Sequence, residues 1–128
     1  MDWNQARDKI KTHVKVGTDL NTPASSYRFV ESVDSTFNSE RYGYHNERGF
    51  VVSIGRSNKI RIPWCMLEEC FLQLNSPDGY DGTFFRQHFP LQAQDHSCHV
   101  HVVGQIFVAA GIAKLEGRKY HMISRNNE

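Results

Sequence analysis

Val100-His101-Val102-Val103-Gly104-Gln105-Ile106-Phe107-Val108-Ala109-Ala110 runs directly into Gly111-Ile112-Ala113-Lys114-Leu115-Glu116-Gly117-Arg118-Lys119-Tyr120-His121-Met122-Ile123. In the first half, Val103, Phe107 and Ala110 share one helical side, with Val102, Ile106 and Ala109 beside them. So broad an apolar arc predicts a deeply buried helix over 98–110. Gly111 supplies the left-handed residue that stops it. The second half reads as a tight basic hairpin carrying Lys114, Arg118 and Lys119, with Leu115 and Tyr120 anchoring its base.

Working back from this stretch, Pro63 ends a strand and can occupy a first helical turn, where a missing amide costs nothing. Trp64, Leu67, Phe71 and Leu74 then form an apolar stripe, with Glu68, Glu69 and Gln73 on the wet side. Asn75-Ser76-Pro77-Asp78-Gly79 breaks that helix. Asp81 or Thr83 caps a short second helix through Phe84, Phe85 and His88, closed by Pro90, and 91–97 reads as a polar connection. Upstream, Asp2 and Gln5 fit a capping box. Trp3, Ala6, Ile10 and Val14 make the N-terminal helix amphipathic up to Gly17. Strands are predicted over 27–33, 49–54 and 59–62, the last two joined through Gly55-Arg56-Ser57-Asn58. The segment 38–47 reads as a loop or short edge strand. The fold class is therefore α+β: an N-terminal helix and small antiparallel sheet (1–62) joined to three helices and a hairpin (63–128), both halves sharing one core.

From Pro63 to Ile123 this order resembles a winged helix, a helix-turn-helix variant in which a two-stranded wing follows the third helix. The resemblance rests on element order and on the Gly111-Ile112-Ala113…Gly117-Arg118-Lys119-Tyr120 close. The 90–97 connection is longer than a tight turn, and only His99, His101 and Gln105 are polar on the third helix, where family recognition helices usually expose more. The resemblance implies DNA binding, with Arg118 and Lys119 at the positions where a wing touches the backbone.

The 128 residues suffice for one core, and 39% apolar with 23% charged residues is the balance of a folded rather than a disordered chain. No apolar run is long enough to cross a bilayer, and the N-terminus lacks the basic start and apolar stretch of a signal peptide. A cytoplasmic address is expected, with Cys65, Cys70 and Cys98 as small hydrophobes in a reducing compartment. The net charge of +1 disfavours purely electrostatic capture of a polyanion, but its distribution is uneven. Segment 1–62 carries ten Lys/Arg against seven Asp/Glu, 63–95 one against five, and 96–128 four against two.

The function expected is duplex DNA binding through backbone charges. Its residues are Lys114, Arg118 and Lys119 on the wing, with Arg125 just beyond, Arg56, Lys59 and Arg61 on the 55–61 hairpin, and His99 and Gln105 on the third helix. Lys59 and Arg61 alternate with Ile60 and Ile62, so both leave one outer face. Tyr42 and Tyr44, with Arg41 and Arg48, suit stacking on exposed bases. Two other classes stay open. One is an assembly module, with the apolar helices forming a homodimer or protein-partner seam. The other is a small enzyme using the Asp95-His96-Ser97-Cys98-His99-Val100-His101 cluster, with His88 upstream. That cluster matches no zinc spacing and shows no nucleophile elbow or phosphate loop, so no metal, cofactor or catalytic residue is assigned.

Overall fold

A computed structural model describes residues 1–123, and Arg125 lies outside the described residues. The protein is α+β. Its elements run α1 (Trp3–His13), β1 (Phe29–Ser39), β2 (Tyr44–Ser53), β3 (Lys59–Pro63), α2 (Trp64–Leu74), α3 (Gly82–His88), α4 (Pro90–Asp95), α5 (His99–Ala109), β4 (Ala113–Glu116) and β5 (Lys119–Met122).

Local chemistry accounts for most boundaries. Asp2 accepts from the Gln5 amide at 2.8 Å while Gln5 Oε1 accepts from the Asp2 amide at 2.9 Å, the reciprocal pair of a capping box. Asp81 caps α3 by accepting from the Phe84 amide at 3.1 Å. Gly111 takes φ +76° just past α5, and Gly117 takes φ +66° in the β4–β5 turn.

Three expectations change. Residues 91–97 are not simply a connection, because Pro90 opens α4 as well as ending α3. From Pro63 onward, four helices therefore precede the hairpin instead of three. The segment 38–47 completes a long hairpin, in which β1 and β2 extend to a turn over 40–43 with Gly43 at φ +73°. Tyr27 does not begin a strand, since its φ of +66° is outside the extended region.

β1, β2 and β3 form an antiparallel meander in which Val30 faces Val52, Val52 faces Ile60 and Phe50 faces Ile62. β1 is irregular: its register shifts between Ser32 and Ser35 and again between Phe37 and Ser39, and Asp34 has φ +51°. β4 and β5 form a separate two-stranded sheet. Tyr80, between α2 and α3, is bridged to β5 by reciprocal backbone bonds with Tyr120 of 2.9 and 2.8 Å.

One apolar cluster joins all these parts. Ala6 and Ile10 of α1, Val52 and Ile62 of the meander, Leu67 and Phe71 of α2, Val103 and Phe107 of α5, and Tyr120 of β5 all belong to it. A buried side chain of this size contributes roughly 1.5–3 kcal/mol. A Cβ on Gly104 would come within 2.2 Å of the Tyr120 ring, so glycine lets α5 seat directly on that ring and fixes the hairpin to the core.

Candidate nucleic-acid interface

The expected wing cations divide. Lys119 Nζ lies 3.1 Å from the Asp78 carbonyl and 3.9 Å from Asp81 Oδ2. Lys114 Nζ lies 3.7 Å from Glu116 Oε2. Arg118 has no ion-pair partner among the described residues and lines a cleft of about 790 Å³ between the hairpin, the 22–28 segment and the start of α5. Two arginines from distant parts of the chain line it too, Arg28 and Arg86, together with Thr83, Ser97 and His101. The one carboxylate in the lining, Asp81, already caps α3 and leans toward Lys119.

Arg28 is the most telling of the three. Its backbone amide donates to Asn21 Oδ1 at 2.8 Å, which anchors the segment, yet its side-chain Nη1 is buried with no hydrogen-bond partner among the described residues. A buried guanidinium nitrogen without an acceptor is costly, and Arg7 Nε is in the same position elsewhere in the molecule. Arg86 is set by Gly82: a Cβ there would come within 2.7 Å of Arg86 Nη1, so the guanidinium folds over the open glycine.

Behind the cleft sits a polar cluster centred on Tyr120. Gln105 Nε2 donates to its hydroxyl at 3.3 Å, and His101 Nδ1 lies 2.9 Å from the same oxygen. Burial lowers the His101 pKa, and the Arg28 charge lowers it further, so the ring facing the cleft is held neutral. Burial raises the Tyr120 pKa, against the opposing effects of Gln105 and Arg28.

The third-helix expectation is corrected here. His99 is 2% exposed, stacks on Phe85 with ring centroids 5.7 Å apart, and has Nδ1 2.8 Å from the His96 carbonyl oxygen. Burial brings its pKa down to about 4, so it offers no positive charge to a phosphate. Gln105 is turned onto Tyr120 and helps position the hairpin. α5 spends its apolar face in the chain's own core, as does α1, so a partner seam on either helix would need side chains already buried.

The meander cations form a second group on the other flank of α5's first turn. Lys59 Nζ is paired with Glu31 Oε2 at 2.7 Å, and Arg56 stands exposed in the β2–β3 turn. Arg61 has no ion-pair partner among the described residues and lines a groove of about 590 Å³ walled by Ser35–Ser39, Tyr42, Tyr44 and Val51 and closed by His96 and His99. The two cavities meet the chain at neighbouring residues: His96 and His99 face the groove, while Ser97, Val100 and His101 face the arginine cleft.

Arg41 and Tyr42 are held rather than free. Arg41 Nε and Nη2 donate to Asp95 at 2.6 and 2.7 Å, and the Tyr42 hydroxyl donates to the same carboxylate. The Arg41 bonds, then the Tyr42 bond, hold the Asp95 carboxyl down at about 2. This clamp ties the β1–β2 turn to the end of α4.

The histidine–cysteine cluster does not converge. Among the described residues no group of three His, Cys, Asp or Glu side chains could hold a metal ion. All three cysteines are free, and burial raises the Cys98 pKa, the wrong direction for a nucleophilic thiolate. No helix of the described residues is long and apolar enough to cross a membrane.

Sequence reasoning missed Arg28 and Arg86. Arg28 lies between Tyr27 and Phe29 in an unpatterned segment, and Arg86 is the one base in the most acidic part of the chain. Glycine at 82, directly after a capping aspartate, is the one local hint of a side chain folding back there. Comparison with protein-family models, curated proteins and solved structures returns no match for this chain, so the reading of the site rests on its geometry.

Proposed function

We propose that this protein binds duplex DNA through the phosphate backbone, with Arg28, Arg86 and Arg118 taking phosphates along the cleft beside the β4–β5 hairpin. The observation that carries the reading is the convergence on one cleft of Arg28, Arg86 and Arg118, none of which has an ion-pair partner among the described residues. Guanidinium groups match phosphate oxygens in fork geometry, and phosphate contacts need fixed charge rather than a base pattern. The order of helices followed by a basic hairpin supports the winged-helix resemblance, although α4 is an addition to it. With His99 buried and His101 and Gln105 turned onto Tyr120, α5 offers few groups to base edges, which favours backbone contact over sequence readout. The three free cysteines favour a reducing, intracellular setting.

Three neutralised phosphates imply an affinity that falls about 40-fold between 50 and 200 mM salt. Fluorescence anisotropy with a labelled duplex over a salt series tests this. Arg118→Glu is expected to weaken binding by at least about tenfold, and to reduce the salt slope by about one, for every sequence tried. Unchanged affinity and slope in a variant with wild-type melting behaviour overturns the assignment.

A further inference from the structure

The groove over the meander is built differently from the arginine cleft, although neighbouring residues around the start of α5 line both. We propose that it holds one unpaired nucleotide of the bound DNA, so that the protein prefers duplexes carrying an extruded or bulged base. The inference rests on the DNA-binding reading for its context, but the groove has its own evidence. Its volume of about 590 Å³ falls in the range of pockets that enclose small ligands.

Its walls supply what a nucleotide needs. Tyr42 and Tyr44, tilted together with centroids 5.4 Å apart, give an aromatic side. Thr36 and the side-chain amide nitrogen of Asn38 provide polar groups for a base edge, while Ser35 Oγ is already bonded to Ser32 Oγ and Asn38 Oδ1 accepts from the Asn46 amide. Arg61 stands without an ion-pair partner among the described residues, and no carboxylate contributes to the lining. Ionised carboxylates would repel a phosphate, whereas one free guanidinium attracts it.

The β1 wall carries a second mark. Ser35, Thr36 and Phe37 sit between two register shifts, next to Asp34 in the left-handed region. Such irregularities re-aim side chains and cost stability, and they gather where a strand serves a ligand. The surrounding order points the same way: the Arg41–Asp95–Tyr42 clamp holds the groove's mouth to α4, and Gln92 Nε2 donates to the Tyr44 hydroxyl at 3.1 Å. A base leaving a stack gives up its neighbours there, and aromatic walls with polar edges replace them.

The test uses three labelled duplexes of equal length: fully paired, with one extra unpaired nucleotide, and with that nucleotide made abasic. Anisotropy is expected to show the bulged duplex bound about tenfold tighter than the other two. Thr36→Trp, which fills the groove from an exposed strand position, is expected to erase that preference while leaving affinity for the paired duplex unchanged. Arg61→Gln serves as the second variant should Thr36→Trp lower the melting temperature. Equal binding of bulged and abasic duplexes, or a preference that survives both variants, overturns the proposal. Should no duplex bind, the backbone reading fails by itself. A ¹⁵N-resolved NMR titration with nucleoside 5′-monophosphates then decides the groove: shifts confined to the amides of Ser35, Thr36, Val51 and Arg61 uphold it, and their absence refutes it.

Discussion

In the β4–β5 hairpin, two of three cations are drawn onto acids, and the third, Arg118, joins arginines from the 22–28 segment and from α3. In the β2–β3 hairpin, Lys59 is likewise drawn onto Glu31, while Arg61, without an ion-pair partner among the described residues, lines a groove with hydroxyl and aromatic side chains. Two short basic hairpins of the same chain thus place an arginine in different surroundings. In each, the lysines near a carboxylate settle as exposed pairs worth little energetically, and one arginine without such a partner, Arg118 or Arg61, lines a cavity. What a surface cation does is set by which side chains the fold brings opposite it.

The most severe way to break this comparison is to detach one hairpin and leave the other. Tyr120→Ala removes a fully buried ring and the hydroxyl shared by His101 and Gln105. It is expected to cost about 3–5 kcal/mol in urea unfolding. At temperatures where the variant remains folded, DNA affinity should fall with the loss of Arg118's position, while the amides lining the groove keep their wild-type NMR shifts. Uniform loss of both sets of signals would show that the hairpins depend on one packing unit.

The next largest effect sharpens the boundary between the two cavities. His99 stands at that boundary, with a folded pKa of about 4, well below an unfolded value near 6.5. The neutral ring is the folded form, so its contribution is fully present above pH 6.5 and is lost as pH falls through 4. The unfolded chain binds more protons across that window, and stability therefore rises with pH there, by up to about 3 kcal/mol. Urea titrations at pH 7 and pH 4.5 should show this difference, and His99→Phe should flatten it. A variant with an unchanged pH slope would remove His99 as its origin.

The smallest effects test the lysines. Lys114→Gln and Lys119→Gln are each expected to change duplex affinity by less than about threefold, because each ammonium already has a local partner and exposed pairs contribute about 0–1 kcal/mol. A loss matching that of Arg118→Glu would return the interface to the outer face of the hairpin and away from the arginine cleft.

Much of the fold was legible because its signals are local. The Asp2–Gln5 box, the Trp64–Leu74 stripe, the Asp81 cap and the Gly111 stop each act within four or five residues. The misreadings also have local causes. Pro90 satisfies both a helix end and a helix start, and the polar strand ends around the 40–43 turn lack the apolar alternation that marks a half-buried strand. The site was legible only in part. Arg118 and Arg61 were found as basic hairpin positions, and nothing in the sequence distinguishes them from Lys119 and Lys59.

By itself the sequence determined the α+β class, the register of apolar and polar faces, and the placement of basic turns, because capping, periodicity and turn chemistry depend on near neighbours. Only the tertiary structure decided that His99 lies inside, that Lys114 and Lys119 have partners, and that Arg28, Arg86 and Arg118 share one cleft. Those outcomes depend on how Tyr120 seats over Gly104 and on the 22–28 segment lining one cleft with the start of α5. Such packing joins residues that share no pattern along the chain.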